Sequence, residues 1–144
     1  NFATLSPIPG FRRWLENNMD NVHDEAASED ILKIRRLLDS ELWWEDAAAV
    51  DELEPLLTKR CAHYLLNAKR DNEPVDPVAR FHLSNGARIE QLNWLGDKST
   101  QRLQQSYGLL VNYVYDRKSV IKNHEAYVAK GQIAASSLVA STAK

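Results

Sequence analysis

Ser6 and His82 are the residues whose type and setting in this sequence could support acid–base chemistry, and Asn93 and Tyr115 are further polar candidates. Ser6 opens Ser6-Pro7-Ile8-Pro9-Gly10, where two prolines fix φ and push the residues before them out of the helical region. Its hydroxyl is therefore held at a strand tip by a stiff loop. His82 carries the side chain whose charge changes nearest neutral pH, so beside a hydroxyl it can hold or hand over a proton. Taken singly, each residue is ordinary. A serine before proline is common turn chemistry, a helical histidine is usually a satisfied, partly buried residue, and Asn93 and Tyr115 read equally well as strand residues with satisfied polar tips.

Several other chemistries have no foothold. The sequence contains no Gly-x-Gly-x-x-Gly, no P-loop and no Gly-x-Ser-x-Gly elbow, and His124-Glu125-Ala126-Tyr127-Val128 lacks the second histidine of a zinc helix. Cys61 and His63 are two apart on a helix and so diverge, which makes Cys61 a core residue. No metal site is expected.

The elements that must position Ser6 and His82 follow from caps and periodicity. Asn1 to Leu5 reads as a strand, and a short helix from Phe11 fades in the polar segment Asn17 to Asn21. Ser28 is the expected N-cap of a helix running to about Trp44, with Ile31, Ile34, Leu38 and Leu42 at helical spacing. A second helix is expected to begin near Pro55 and to carry Leu57, Cys61, Tyr64, Leu65 and Ala68 on one face, with Asp71-Asn72-Glu73-Pro74 as the loop after it. Asp76 as N-cap, Pro77 at the first position and Gly86 as left-handed stop delimit the short helix that bears His82. On it Val78, Phe81, His82 and Asn85 share a face, which places His82 with the packed side. Ala87 to Leu95 reads as a strand with Ala87, Ile89, Gln91, Asn93 and Leu95 on one face. A short helix through Leu103 precedes Leu109 to Tyr115, a strand apolar on both faces with Tyr113 and Tyr115 on the same one. Ser119 to Lys130 is helical in pattern, and the tail from Ile133 is expected to be weakly helical or frayed.

Composition bounds the partners. At 144 residues, 44% of them hydrophobic and 26% charged, the chain suits one folded domain, and a net charge of −2 provides no field for a polyanion. Arg12/Arg13 and Arg35/Arg36 are flanked by acids and read as solvated faces, so no nucleic-acid partner is expected. No run is long and apolar enough for a membrane span, and the single cysteine fits a reducing compartment, the cytoplasm being the expectation. The opening at Asn1, directly on a strand, suggests a segment of a longer protein. The residues by themselves lead to an α+β segment with a Ser/His site and no further.

At these same residues the sequence resembles malonyl-CoA decarboxylase. The matching stretches are Thr4 to Phe11, Val78 to Ala87, Leu92-Asn93-Trp94, Gly108 to Tyr115, and Asn123-His124-Glu125-Ala126-Tyr127. The resemblance implies that residues 1–144 are the C-terminal part of a catalytic domain with a GNAT-like acyl-CoA fold, a few strands with several helices, carrying a helical insertion over about 11–70. It implies conversion of malonyl-CoA to acetyl-CoA and CO2 without metal or organic cofactor, in a homo-oligomer that is commonly a tetramer. It also implies a missing N-terminal part, including a glycine-containing loop that receives the CoA pyrophosphate. Carried onto this chain, the family's serine is Ser6 and its histidine His82, with Tyr115 and Asn93 as its tyrosine and asparagine. Loss of CO2 leaves an enolate that must be stabilised and protonated at C2. Ser6 is then expected to fix the malonyl head, His82 to donate the proton, and Tyr115 or Asn93 to orient the pair. Two rival readings are a GNAT-type acyltransferase and a non-catalytic interaction module built on the helices between Ser28 and Lys69, in which Ser6 and His82 would not converge.

Overall fold

The computed structural model describes residues 1–21 and 24–144. Strand β1 (Phe2–Ser6) runs into the Pro7–Gly10 turn, whose Ile8 is fully buried, and Phe11 starts α1 (Phe11–Asn18), followed by a 3-10 turn over Met19–Asn21. Helix α2 (Glu25–Leu38) departs from expectation at both ends. Asp24, not Ser28, is the N-cap: its backbone is extended and its carboxylate accepts from the Ala26 N–H at 3.0 Å. Beyond Leu38 the chain leaves the helix, and Trp43–Glu45 forms a separate 3-10 turn that buries Trp43.

The next helix, α3 (Ala47–Asn67), likewise starts earlier than Pro55, because Asp46 caps it by accepting from the N–H groups of Ala48 and Ala49. Pro55 lies inside the helix with its ring exposed, so the carbonyl left without its N–H partner can turn to water. Leu53, Leu57, Cys61 and Leu65 repeat at four-residue spacing and are completely buried, each large side chain contributing about 1.5–3 kcal/mol of burial. Asp71 and Asn72 are no open loop: both have positive φ, 53° and 66°, and they close a hairpin between β2 (Lys69–Arg70) and β3 (Glu73–Pro74).

Helix α4 (Pro77–Ser84) has the expected limits, with Asp76 accepting from the Ala79 N–H at 3.0 Å and Gly86 at φ 91°. The face that packs is not the one shared by Val78, Phe81, His82 and Asn85, because Phe81 and Asn85 are exposed. Ala79 and Leu83, one turn apart, are buried, His82 lies at the edge of that face, and Phe81 is 62% exposed. Helix α6 (Val120–Lys130) clamps the end of α4: the Asn123 amide donates to the Gly86 carbonyl at 3.1 Å, and His124 Nδ1 donates to the Ser84 carbonyl at 2.6 Å. Three residues further along the same helix, the Tyr127 hydroxyl donates to Glu73 at 3.2 Å.

The sheet is antiparallel in the order β1-β5-β4, with β4 spanning Arg88–Asn93 and β5 spanning Leu110–Tyr115. Between Ile89 and Gln91 the register of β4 against β5 shifts by one residue at Glu90, a β-bulge. Because side chains alternate with period two, one extra residue reverses the face of everything after it. Ile89 pairs with Tyr113, but Gln91 pairs with Asn112 and Asn93 with Leu110, so Gln91 and Asn93 leave the face of Ile89. The tail uses the irregularity. Ile89 N–H donates to the Ala134 carbonyl, Ser136 N–H to the Ile89 carbonyl, and the Ser136 hydroxyl to the Glu90 carbonyl, at 2.9, 2.8 and 2.8 Å. Ser136 then caps α7 (Ser137–Thr142), which buries Val139, so the tail is docked and not frayed. Helix α5 (Thr100–Ser106), capped by Ser99, leads into β5. The fold is α+β, and among the described residues no helix is long and apolar enough to cross a membrane.

Candidate active site

The register of β1 against β5 puts Phe2 opposite Tyr115, Thr4 opposite Tyr113 and Ser6 opposite Val111, so these six side chains share one face of the sheet. Helix α4 brings His82 to that face. The imidazole lies flat against the Tyr113 ring, with centroids 4.4 Å apart and planes 25° from parallel. Ser6 is buried by its proline turn, and its Oγ is 3.2 Å from His82 Nε2, so the two candidate residues converge. On the other side of the ring, His82 Nδ1 meets the Tyr115 hydroxyl at 2.5 Å. The chain of polar groups extends one step past Ser6, whose hydroxyl is 3.0 Å from that of Thr4. Phe2 stacks on Tyr115 at 4.7 Å and covers its outer side.

Asn93 is not brought to this cluster. The bulge at Glu90 carries it to the opposite face, where its amide donates to Asn112 Oδ1 at 2.8 Å, and Asn112 in turn donates to the Thr4 carbonyl at 3.1 Å. Any influence of Asn93 on His82 passes through the sheet by way of Asn112 and β1. Thr4 and Tyr113 belong to the cluster and were not singled out as site residues. The signal was available: Thr4 is two before Ser6 in a strand, and Tyr113 is two before Tyr115.

Burial lowers the His82 imidazole from its ordinary value and raises the Tyr115 phenol, so near neutral pH the free site holds a neutral imidazole beside a protonated tyrosine. Two proton arrangements satisfy this geometry. In one, Tyr115 donates to Nδ1, the ring proton sits on Nε2 facing Ser6, and Ser6 donates to Thr4. In the other every bond is reversed, and Ser6 donates to Nε2. The first leaves an N–H aimed at the serine; the second leaves the serine oxygen activated by a base. A cavity of about 290 Å³, lined by Asn1, Phe2, Tyr115, Asp116, Arg117 and Val120, opens beside the tyrosine.

The similarity to known proteins extends along the entire sequence. The profile of the family described as Malonyl-CoA decarboxylase C-terminal domain matches residues 1–144. The chain belongs to that family. It is 34% identical over 97% of its length to the protein of Anser anser anser named malonyl-CoA decarboxylase, mitochondrial, of which it covers 31%, and 32% identical over 97% to the rat protein of the same name, of which it covers 32%. Among solved structures it resembles malonyl-CoA decarboxylase from Rhodopseudomonas palustris, with 44% identity, a TM-score of 0.89, and coverage of 98% of this chain and 32% of that one. The malonyl-CoA decarboxylase structure from Agrobacterium vitis gives 40% identity, a TM-score of 0.86, and coverage of 99% and 35%. The chain thus spans about a third of the length of the curated relatives it matches.

Proposed function

We propose that this chain forms the part of a malonyl-CoA decarboxylase active site that handles the malonyl head, turning malonyl-CoA into acetyl-CoA and CO2. The observation that carries this reading is the contact of Ser6 Oγ with His82 Nε2 at 3.2 Å, on a sheet face where Tyr115 fixes the other ring nitrogen. In the reaction the bond between C2 and the carboxyl carbon breaks and its electron pair enters the thioester as an enolate, which then takes one proton at C2. The chemistry calls for orientation and a proton, and no nucleophile. Ser6 hydrogen-bonds the malonyl head and holds its carboxylate out of the carbonyl plane, where the breaking bond overlaps the thioester π system. His82 supplies the proton to C2. A carboxylate arriving beside the imidazole raises its pKa, so substrate binding itself loads the proton onto a histidine that the empty site keeps neutral.

The rival in which CoA delivers an acyl group to an amine requires an acceptor, whereas decarboxylation consumes malonyl-CoA alone. Its support is the reversed proton arrangement, with His82 as base toward Ser6. Helices between Ser28 and Lys69 acting only as an interaction module required Ser6 and His82 apart, and the two are in contact. The further expectations of a homo-oligomer and of an N-terminal part completing the CoA site belong to this same proposal.

Replacing His82 with Asn in the protein expressed from its full coding sequence tests it. Release of CO2 from malonyl-CoA without any acceptor should fall at least ~10²-fold in kcat, with acetyl-CoA binding retained. Wild-type turnover by this variant would remove His82 from the chemistry.

A further inference from the structure

Asp76 is the only carboxylate among the described residues that is buried, at 1% exposure. It caps α4, but capping does not need burial: Asp24, Asp46 and Ser99 start their helices with the same side-chain hydrogen bond from exposed positions. A carboxylate withdrawn from water is expensive, so the burial calls for a second role.

Its contacts supply one. Asp76 Oδ2 accepts from the Ala79 N–H at 3.0 Å, while Oδ1 accepts from the Tyr64 hydroxyl of α3 at 3.4 Å. Burial pushes the Asp76 carboxyl up, and the backbone N–H groups of Ala79, of Gly10, the last residue of the proline turn that begins at Ser6, and of Val78 oppose that rise. Gly10 is pressed onto the same phenol: a Cβ there would lie 2.8 Å from the Tyr64 oxygen. The buried Asp76–Tyr64 pair therefore joins the foot of the helix that carries His82 to the far end of the turn that carries Ser6. Both arms above it are stiff. The turn contains Pro7 and Pro9, and from Asp76 to His82 the chain is under two turns of helix.

We propose that Asp76, braced by Tyr64, is a positioning residue that sets the separation of Ser6 and His82 by tying the Ser6 turn to the His82 helix. The inference rests on the reading that Ser6 and His82 perform the chemistry. It assigns no contact with substrate to Asp76, so its loss should misplace the pair without weakening the hold on CoA.

The test uses Asp76→Ser, Asp76→Asn, Tyr64→Phe and, in parallel, His82→Asn, all in the protein expressed from its full coding sequence. Serine restores the helix cap but is too short to reach Gly10 and Tyr64. Asp76→Ser should therefore melt within a few degrees of wild type yet lose about 10–100-fold in kcat, with KM for malonyl-CoA within about threefold. Tyr64→Phe keeps the ring in the core and should lower kcat in the same direction by less. If Asp76→Ser does not fold, the isosteric Asp76→Asn and Tyr64→Phe give the same readout. Wild-type kcat in the folded variants, or a loss confined to KM, would overturn the assignment. The His82→Asn arm separates the two levels: inactive His82→Asn with normal Asp76 variants removes only Asp76, whereas active His82→Asn removes the reading beneath it.

Discussion

Replacing Tyr115 with Phe isolates one hydrogen bond in the Ser6–His82 cluster. The phenyl ring keeps the stack on Phe2 at 4.7 Å and the edge contact with the imidazole at 5.7 Å, so only the oxygen that meets His82 Nδ1 at 2.5 Å is lost. A net hydrogen bond is worth about 0.5–1.5 kcal/mol, and about 1.5–3 kcal/mol when one partner is charged, as His82 is when it holds the proton for C2. His82 is only partly buried, so water can replace part of what is removed, and the lower half of that range applies. About 1.5–2 kcal/mol at the transition state corresponds to a roughly 10–30-fold loss in kcat. KM should move by less than about threefold, because the hydroxyl orients the imidazole and not CoA. The melting temperature should stay within a few degrees. The assay is acetyl-CoA formation from malonyl-CoA under saturation, alongside thermal denaturation. A kcat within threefold of wild type with an unchanged melting temperature would refute the role of Tyr115 in fixing the ring.

Three further outcomes follow from the same structure. Because burial lowers His82 below its ordinary value and a proton donor works only when protonated, kcat/KM should fall as pH rises through a pKa below about 6.5. The corresponding fall in kcat should lie at higher pH, since the bound carboxylate raises the imidazole, and coincident profiles would sink that pairing. The lowered pKa also acts on folding. The neutral form is favoured in the native state, so this contribution to stability is present above the ordinary histidine pKa and is lost as pH falls through the folded-state value. Gly86→Ala should cost at least about 2 kcal/mol in urea denaturation, because φ is 91° and the new Cβ would lie 2.2 Å from the Val120 carbonyl oxygen. Unchanged stability there would show that α6 is not anchored against α4 as described.

The sequence by itself determined the local pieces whose physics is local. Asp76, Pro77 and Gly86 delimit α4 because a cap, a fixed φ and a left-handed stop act within a few residues of where they stand. The Ser6 turn was legible for the same reason, as was the shared face of Tyr113 and Tyr115 in a regular strand. Where two signals competed, the nearer cap won over the expected one: Asp24 over Ser28, and Asp46 over Pro55. The tertiary structure alone decided which polar groups meet. A bulge at Glu90 leaves no clear mark in the residues yet reverses the parity of β4, and it sends Asn93 to the far side of the sheet. The convergence of Ser6 and His82 required β1 to pair with β5 and α4 to lay His82 on Tyr113 of that face, contacts between residues far apart in the chain. Burial and hydrogen-bond partners are properties of those long-range contacts, so neither the lowered imidazole pKa nor the second job of Asp76 could be read from residue order.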